Sequence, residues 1–366
     1  MSHGPAHVPF NALRPGEDAA DVRAAIDRVV ASGWFVLGPE VEAFEAEFAA
    51  VHGAPYAVGV GTGTDAITLI LRALDIGPGD EVITSPLSAA YSALAVMMAG
   101  ARPVFADIDP HRLTIDPSAV ERAISPRTRA ILPVHLYGQT AAMRPLEMIA
   151  ARHHLALVED AAQAHLATAD GRPVGTIGIA AAFSFYPTKN LGALGDGGAV
   201  VTRDAQLAAR IKRLRNGGQT SRYHHEEAGA NSRLDELQAA ILRARLPYLA
   251  GWTARRRAIA ARYRQSIADG EVTAPAEFDA GHVYHLFPVL TAHRDAFQAQ
   301  MLAKGVETLI HYPVPIPRQP ALRPADPAPC PVADRVCAHV VSLPMYPGLS
   351  DAAIDQVGEA VRAFRP

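Results

Sequence analysis

Short apolar runs alternate with segments of helical spacing between residues 57 and 215. The runs are rich in β-branched residues and predict strands at residues 57–60, 81–85, 103–107, 130–135, 155–159, 182–186 and 198–202. The segments between them predict helices at residues 66–74, 88–99, 117–124, 143–153 and 206–215. This alternation indicates an α/β fold with a mostly parallel, seven-stranded sheet that is sandwiched by helices.

A different pattern begins at Leu234, where helical spacing continues to about Ile267. A short β–α–β group follows at residues 283–290, 296–304 and 308–311, and residues 313–331 predict an ordered, proline-rich extended loop. Residues 351–364 predict a capped closing helix. We therefore expect a large domain over residues 1–240, which includes the N-terminal segment, and a smaller α+β domain over residues 241–366, which includes the long linking helix.

Composition limits the classes of function. The chain has 366 residues, of which 49% are apolar and 19% are charged, as expected for a globular protein. Its net charge of −3 gives no field that would attract nucleic acid, and its apolar runs are too short for a membrane helix. The N-terminus lacks a secretory signal, so we expect a cytoplasmic protein. Two cysteines, Cys330 and Cys337, predict reduced thiols, and no metal-site signature is visible.

A glycine-rich turn at residues 59–65, Gly-Val-Gly-Thr-Gly-Thr-Asp, lies between a predicted strand and a predicted helix. Backbone amides in such a turn can hold a phosphate at the helix N-terminus. A dinucleotide site would need a glycine where Thr64 stands, and it would place Glu81 at the end of a strand rather than at its start. A cup for one phosphate fits better than a nicotinamide dinucleotide site, while a tight turn without a ligand remains open.

Two further residues carry candidate chemistry. Asp160 ends an apolar strand, where a carboxylate can serve either a ligand or a turn. Lys189 follows another strand in a glycine-rich loop, where desolvation would lower the pKa of its amine and make it a nucleophile towards aldehydes. A phosphate cup, a carboxylate for a pyridinium proton and such an amine together match pyridoxal 5'-phosphate.

The chain also resembles the DegT/DnrJ/EryC1/StrS sugar aminotransferases, which belong to fold type I of the pyridoxal-phosphate enzymes. The resemblance covers nearly the whole chain and includes Glu-Asp-Ala-Ala-Gln at residues 159–163 and Asn-Ser-Arg-Leu-Asp-Glu-Leu-Gln at residues 231–238. Other matching segments, in the same order along the chain, are residues 32–33, 37–40, 63–66, 77–83 and 183–192.

The resemblance implies a role for each matching residue. Lys189 corresponds to the lysine that bonds to the cofactor, Asp160 to the carboxylate that pairs with the pyridine nitrogen, and Gln163 to a residue near the phenolic oxygen. The residues that correspond to phosphate ligands are Gly63, Thr64 and Ser184. Asn231 corresponds to an asparagine that reaches the phosphate of the neighbouring subunit, which implies a homodimer with shared active sites.

One position departs from the family pattern. Ala89 stands where the family often has an aromatic residue stacked on the cofactor ring. Tyr91 is two positions away, so the residue that covers this face of the ring stays open.

Substrate residues are suggested by a narrower similarity. Residues 308–315, Tyr186 and the stretch 222–224 are similar to the subgroup that aminates C3 of thymidine-diphosphate 3-keto-6-deoxysugars, with L-glutamate as the expected donor. Tyr186, His311 and Tyr312 are then candidate substrate ligands, although His311 and Tyr312 could also be packing residues. Amination at C4, a sugar linked to another nucleotide, a keto-cyclitol acceptor and a regulatory protein that binds the cofactor without turnover remain alternatives. A sugar dehydratase on the same fold is disfavoured, because the dehydratases of this family carry His at the position of Lys189.

Overall fold

The computed structural model describes residues 6–267, 271–322 and 328–366. Its helices are α1 (Ala19–Ser32), α2 (Pro39–Val51), α3 (Gly63–Ala73), α4 (Tyr91–Met98), α5 (Pro117–Ala123), α6 (Met143–Arg152), α7 (Ala205–Leu214), α8 (Glu236–Arg245), α9 (Leu249–Ser266), α10 (Arg294–Ala303), α11 (Pro331–His339) and α12 (Asp351–Arg362). Its strands are β1 (Tyr56–Val60), β2 (Glu81–Thr84), β3 (Arg102–Phe105), β4 (Thr128–Leu132), β5 (Ala156–Asp160), β6 (Thr168–Ala169), β7 (Arg172–Pro173), β8 (Ala180–Ser184), β9 (Gly198–Thr202), β10 (Gln219–Ser221), β11 (His224–His225), β12 (Phe287–Leu290) and β13 (Val340–Leu343).

The main sheet has seven strands in the order β1-β9-β8-β5-β4-β2-β3. Only β9 runs against its two neighbours, and all the other neighbouring pairs are parallel. The α/β fold with a mostly parallel seven-stranded sheet is therefore confirmed. Because β5 and β8 are parallel neighbours, their carboxyl ends, Asp160 and Ser184, lie at the same edge of the sheet.

Helices cover both faces of this sheet. Val58 and Val200 point to one face, where they share a core with α3 and α7. Ala57 and Phe183 point to the other face, where they pack with α2 and α8. Phe183 meets Phe48 of α2 edge to face, with ring centroids 5.2 Å apart. The alternation of neighbouring residues between two buried faces explains why these strands are apolar throughout.

A second, two-stranded sheet lies in the C-terminal part, where β12 pairs antiparallel with β13. The predicted β–α–β group is correct for its first strand and its helix, but wrong for its last strand. Residues 308–311 form no strand, and Leu309 makes only an isolated bridge to Ser342. Instead, β12 pairs with β13, and sequence periodicity did not predict this pairing.

Two other expectations need correction. The long helix predicted from residue 234 to about residue 267 is divided into α8 and α9 by a 3₁₀ turn, Leu246–Tyr248, which contains Pro247. Proline lacks the amide hydrogen that a continuous helix needs. The predicted extended loop at 313–331 contains two short 3₁₀ turns, Ile316–Arg318 and Pro320–Leu322, while its residues 323–327 lie outside the described residues.

The closing helix is confirmed as α12, and Ser350 caps it by accepting a hydrogen bond from the amide of Ala353 at 3.2 Å.

An ion-pair cluster ties the amino ends of β2 and β3 to the turn before β4. Glu81 is 1% exposed and accepts hydrogen bonds from Arg102 at 2.5 Å, from Arg127 at 2.6 Å and from the hydroxyl of Ser125 at 2.6 Å. Burial raises the pKa of Glu81, but these three donors outweigh it and bring the pKa to about 2. The cluster therefore stays charged over the whole neutral and mildly acidic range.

None of the helices in the described ranges has both the length and the apolar character needed to cross a bilayer. Within the same ranges, no group of three or more His, Cys, Asp or Glu side chains is arranged to hold a metal ion.

Candidate active site

A cavity of about 800 Å³ opens at the carboxyl ends of β5 and β8 and extends to the C-terminal part of the chain. The sequence-predicted residues that line it are Gly63, Thr64, Asp160, Gln163, Ser184, Tyr186, Lys189, His311 and Tyr312. Asn231 is exposed and does not line the cavity, although the next residue, Ser232, donates a hydrogen bond to Asp65 near the glycine-rich turn at 2.8 Å. The fold therefore brings together segments that are far apart in sequence.

The glycine-rich turn forms the start of α3 at one end of the cavity. Thr62 caps the helix, because its hydroxyl accepts a hydrogen bond from the amide of Asp65 at 3.0 Å. A Cβ atom on Gly63 would lie 2.8 Å from Cβ of Ser184, so only glycine allows α3 to approach β8 this closely. The amides at the start of α3 and the hydroxyls of Thr64 and Ser184 therefore lie together at one end of the cavity, where they can bind a phosphate.

Asp160 is held in a fixed orientation at the end of β5, where it is 5% exposed. The hydroxyl of Ser92 donates to Oδ2 at 2.6 Å, and the amide of Ala162 donates to Oδ1 at 3.1 Å. Both donors stabilise the charged carboxylate. The carboxylate can therefore face a positively charged group in the cavity without needing to rotate.

Lys189 lies in the tight loop after β8. Burial lowers the pKa of its amine to about 8, although the charge of Asp160 raises it. A Cβ atom on Gly192 would lie 2.5 Å from the carbonyl oxygen of Pro187, so the loop closes on itself only because residue 192 is glycine. Lys189 is the only lysine or arginine among the described residues that line the cavity.

Gln163 lies between two fixed partners. Its side-chain oxygen accepts a hydrogen bond from the amide of Tyr137 at 2.7 Å, and its side-chain nitrogen donates to the hydroxyl of Tyr312 at 3.1 Å. Burial raises the pKa of Tyr312 to about 12, so this phenol keeps its proton. Tyr312 can thus donate a hydrogen bond into the cavity at any physiological pH.

Two histidines face the cavity as neutral imidazoles. Burial, with the nearby charge of Lys189, lowers the pKa of His311 to about 4, and Nδ1 of His311 lies 3.1 Å from the hydroxyl of Ser342. The same two causes hold the pKa of His285 well below its usual value, and its Nδ1 lies 3.1 Å from the side-chain oxygen of Asn190. Among the described residues, the only full positive charge at the cavity wall is thus the amine of Lys189.

Several lining residues were not assigned to the site from sequence, namely Phe10, Asn11, Ser92 and His285. Phe10 and Asn11 belong to an N-terminal segment with no motif. Ser92 directly follows Tyr91, which was already considered for the cofactor ring, and this position next to a candidate residue is the signal that could have marked it. Ala89 and Tyr91 also line the cavity, and the side chain of Tyr91 is 63% exposed.

Comparison with known proteins gives the class to which this fold and cavity belong. The sequence profile of the DegT/DnrJ/EryC1/StrS aminotransferase family matches residues 17–362, and the chain belongs to this family.

Among its relatives, a protein of Streptomyces venezuelae named dTDP-3-amino-3,4,6-trideoxy-alpha-D-glucose transaminase is 50% identical over 98% of this chain and 96% of its own length. The pleiotropic regulatory protein of Geobacillus stearothermophilus is 42% identical over 94% of this chain and 94% of that protein. The crystal structure of S. venezuelae DesV in complex with a ketimine intermediate is 48% identical, covers 98% of both chains and superposes with a TM-score of 0.95.

Proposed function

We propose that this protein is a pyridoxal-phosphate-dependent aminotransferase that moves an amino group from L-glutamate to a nucleotide-linked keto-deoxysugar, a thymidine-diphosphate 3-keto-6-deoxyhexose. The observation that carries the proposal is the presence, in one cavity, of a lysine whose pKa is about 8, a fixed carboxylate at Asp160 and a glycine-rich cup for a phosphate. The names of the relatives support the substrate class.

The residues present fit pyridoxal phosphate. Gly63, Thr64 and Ser184 offer amides and hydroxyls to its phosphate, and Asp160 offers a charged oxygen to its ring nitrogen. Bound pyridoxal phosphate supplies an electron sink for the bond broken at the carbon that carries the amino group. Asp160 would keep the ring nitrogen protonated through its negative charge, and the hydrogen bonds from Ser92 and Ala162 hold its carboxylate in place for that contact.

Lys189 is the group that moves protons during the transfer. An amine with a pKa of about 8 is divided between its free and protonated forms near neutral pH, so it can accept a proton and return it. Gln163 is oriented by Tyr137 and Tyr312, and it would hold the cofactor's phenolic oxygen. The burial of Asp160 and Gln163, each 5% exposed, keeps bulk water from these hydrogen bonds.

The acceptor side of the cavity suits a sugar. Tyr186, His311 and Tyr312 offer two phenols and a neutral imidazole, which can exchange hydrogen bonds with hydroxyl groups. A site built from such groups rejects analogues that leave them unpaired. The relative from S. venezuelae has a name that specifies a 3-amino sugar, and its 50% sequence identity to this chain supports amination at C3.

The proposal includes a homodimer with shared active sites and a cytoplasmic location. A nucleoside diphosphate carries negative charge, yet Lys189 is the only lysine or arginine that the described residues contribute to the cavity wall. Cationic partners for the diphosphate are then supplied by a second copy of the chain, and exposed Asn231 faces that copy's cofactor. The cytoplasmic location rests on the sequence and on the two free thiols, Cys330 and Cys337.

We also propose that residues 1–240 and 241–366 form two domains. The second part has a core of its own, in which Tyr263, Phe287 and Phe297 are buried together with residues of α12. The boundary falls inside α8, which packs on α1 and α2 and so belongs in its packing to the first domain, whereas α9 packs on α12 in the second.

The test uses the purified protein loaded with pyridoxal phosphate and L-glutamate. The aminated form is isolated and offered a 3-keto or a 4-keto thymidine-diphosphate sugar, or a keto-cyclitol, and the product is identified by mass spectrometry and NMR. We expect the amino group at C3 of the 3-keto sugar. Reaction with only the 4-keto sugar or the cyclitol would reassign the substrate, while no transfer from glutamate would favour the second candidate, a cofactor-binding regulatory protein, which the name of the G. stearothermophilus relative suggests.

A further inference from the structure

The N-terminal segment from Ala6 to Asn11, here called the strap, is fixed to the C-terminal part of the chain. The amide of Val8 donates to the carbonyl of Gly305 at 2.8 Å, and the amide of Glu307 donates to the carbonyl of Val8 at 3.0 Å. The side chain of Val8 is 2% exposed and belongs to the core that contains Phe287 and Phe297. These contacts give the strap a defined place rather than that of a loose terminus.

Glu307 anchors the strap a second time, closer to the cavity. Its carboxylate accepts a hydrogen bond from the amide of Phe10 at 2.8 Å and lies 3.3 Å from the imidazole of His7. The chain is thereby directed so that the next side chains, those of Phe10 and Asn11, line the cavity that holds Lys189. The strap therefore forms part of the cavity wall.

The two side chains at the end of the strap offer complementary chemistry. The ring of Phe10 stacks on the imidazole of His311, with centroids 5.5 Å apart and an angle of 28° between the planes. The side-chain oxygen of Asn11 accepts a hydrogen bond from the amide of Ala12 at 2.8 Å, so its NH₂ group is the part that can donate to a ligand. This wall carries an apolar ring and an uncharged donor, and it carries no charge.

An uncharged wall of this kind distinguishes between the two substrates. L-Glutamate is small and carries two carboxylates and an ammonium group, so its recognition depends chiefly on charged partners, and it has no ring face to pack against an aromatic side chain. A sugar presents C–H faces that pack against aromatic rings and hydroxyl oxygens that accept hydrogen bonds from amides. The cavity of about 800 Å³ also has room for a ligand much larger than an amino acid.

We propose that the strap is a specificity element for the acceptor sugar, in which Asn11 donates a hydrogen bond to a sugar hydroxyl and Phe10 packs against the sugar and holds His311. This inference rests on the proposed function and deepens it, since it assigns recognition of the sugar to residues outside the family segments described above. Neither residue takes part in the transfer of protons, so the reaction with the amino donor does not depend on them.

The experiment measures the two half-reactions separately by the absorbance of the cofactor. We expect Asn11→Leu, which removes the amide donor and adds no charge to the cavity wall, to lower kcat/KM for the keto sugar about tenfold or more. Phe10→Leu should act in the same direction, mainly through KM. Both variants should react with L-glutamate within about twofold of the wild-type rate. Isothermal titration calorimetry should show that both variants also bind the aminated sugar more weakly than the wild type does.

A second pair of variants tests the anchor. Glu307→Ala removes the acceptor for the amide of Phe10 and should reproduce the loss with the sugar, whereas Glu307→Gln keeps a carbonyl oxygen there and should restore most of it. Leu13→Ala, just beyond the strap, 53% exposed and outside the cavity wall, is the matched control and should behave as wild type.

Equal losses in both half-reactions, or unchanged sugar kinetics in both strap variants, would overturn the inference while leaving the aminotransferase function intact. A wild-type protein that reacts with glutamate but with no keto sugar would contradict the proposed function, and this inference with it.

Discussion

The hydroxyl of Ser92 donates a hydrogen bond to Oδ2 of Asp160 at 2.6 Å, although the two residues are 68 positions apart in sequence. Ser92 lies in the first turn of α4 and is 2% exposed, so water does not compete for the carboxylate at this point. A hydrogen bond to a buried charged oxygen is worth more than one between neutral groups. Ser92 is therefore expected to set the orientation of Asp160.

Ser92→Ala should lower kcat about tenfold, because a hydrogen bond to a charged group contributes about 1.5–3 kcal/mol and part of that is lost when Asp160 can rotate. Ser92→Thr retains the hydroxyl and should recover most of the rate. The measurement is steady-state turnover together with a pH titration of the cofactor's absorbance, whose midpoint should shift in the alanine variant only. A wild-type rate and titration in Ser92→Ala would show that the hydrogen bond is not used.

Lys189 should carry the cofactor covalently. Borohydride reduction of the protein loaded with pyridoxal phosphate, followed by peptide mass analysis, should place the added mass on Lys189. Lys212, which lies 3.0 Å from Glu45, and Lys304 are the remaining lysines of the chain and serve as internal controls. Lys189→Ala should lose turnover by a factor of about 10² to 10⁴ or more, as expected for a missing proton-transfer group. Added mass on Lys212 or Lys304 would contradict the assignment.

The reactivity of Lys189 should depend on pH with a midpoint near 8. The free amine is the nucleophile, so the protein without cofactor should react with an aldehyde faster as the pH rises through about 8, well below the ordinary range for lysine. The negative charge of Asp160 raises this pKa, so Asp160→Asn should move the midpoint to lower pH. Rates of adduct formation over a pH series, measured by mass spectrometry, give both midpoints, and a shift to higher pH in the variant would show that the charge acts differently.

The same Asp160→Asn variant should lose about a thousandfold in turnover of the loaded enzyme, since a neutral amide does not hold the proton on the ring nitrogen. An asparagine has nearly the same shape as an aspartate, so the loss reports charge rather than packing. Binding of the cofactor should persist and can be measured by absorbance at equilibrium. Near-wild-type turnover would mean that another group, such as Asp196 at the cavity wall, protonates the ring.

Active sites shared between two subunits should be detectable by complementation. We expect Lys189→Ala and Asn231→Asp to be inactive as separate homodimers, and a mixture refolded together should regain activity in heterodimers that contain one intact site. Mixing two samples of Lys189→Ala is the control and should recover nothing. A fully active monomer in analytical ultracentrifugation at the assay concentration would rule out the shared site.

The sequence was sufficient to predict most of the main sheet. All seven of its strands were located, because each contains a short run of apolar residues and is followed by a turn or a helix. Asp160 and Lys189 could be proposed as partners from the sequence alone. Asp160 ends one strand and Lys189 follows another, and the carboxyl ends of parallel strands lie at one edge of the sheet.

Other features depend on contacts that a sequence does not reveal. The segment 308–311 has residues typical of a strand, but the strand that pairs with β12 is β13, which comes much later in the chain, after α11. Phe10 and Asn11 have no periodicity or motif, and their place in the cavity follows from the pairing of Val8 with Val306. Long-range pairing is decided by the whole fold, so local patterns do not encode it.

Glu81 is the first residue of β2 and residues 88–92 follow the other end of this strand, so the ion-pair cluster lies at its amino end and the cavity at its carboxyl end. The bonds that secure the amino end of the strand therefore do not involve the residues that line the cavity. This separation should give the segment mutational freedom, because Ala89 and Tyr91 can be replaced without loosening the strand that presents them. Directed evolution towards new keto sugars can start at residues 88–91 while Glu81, Arg102 and Arg127 are left untouched.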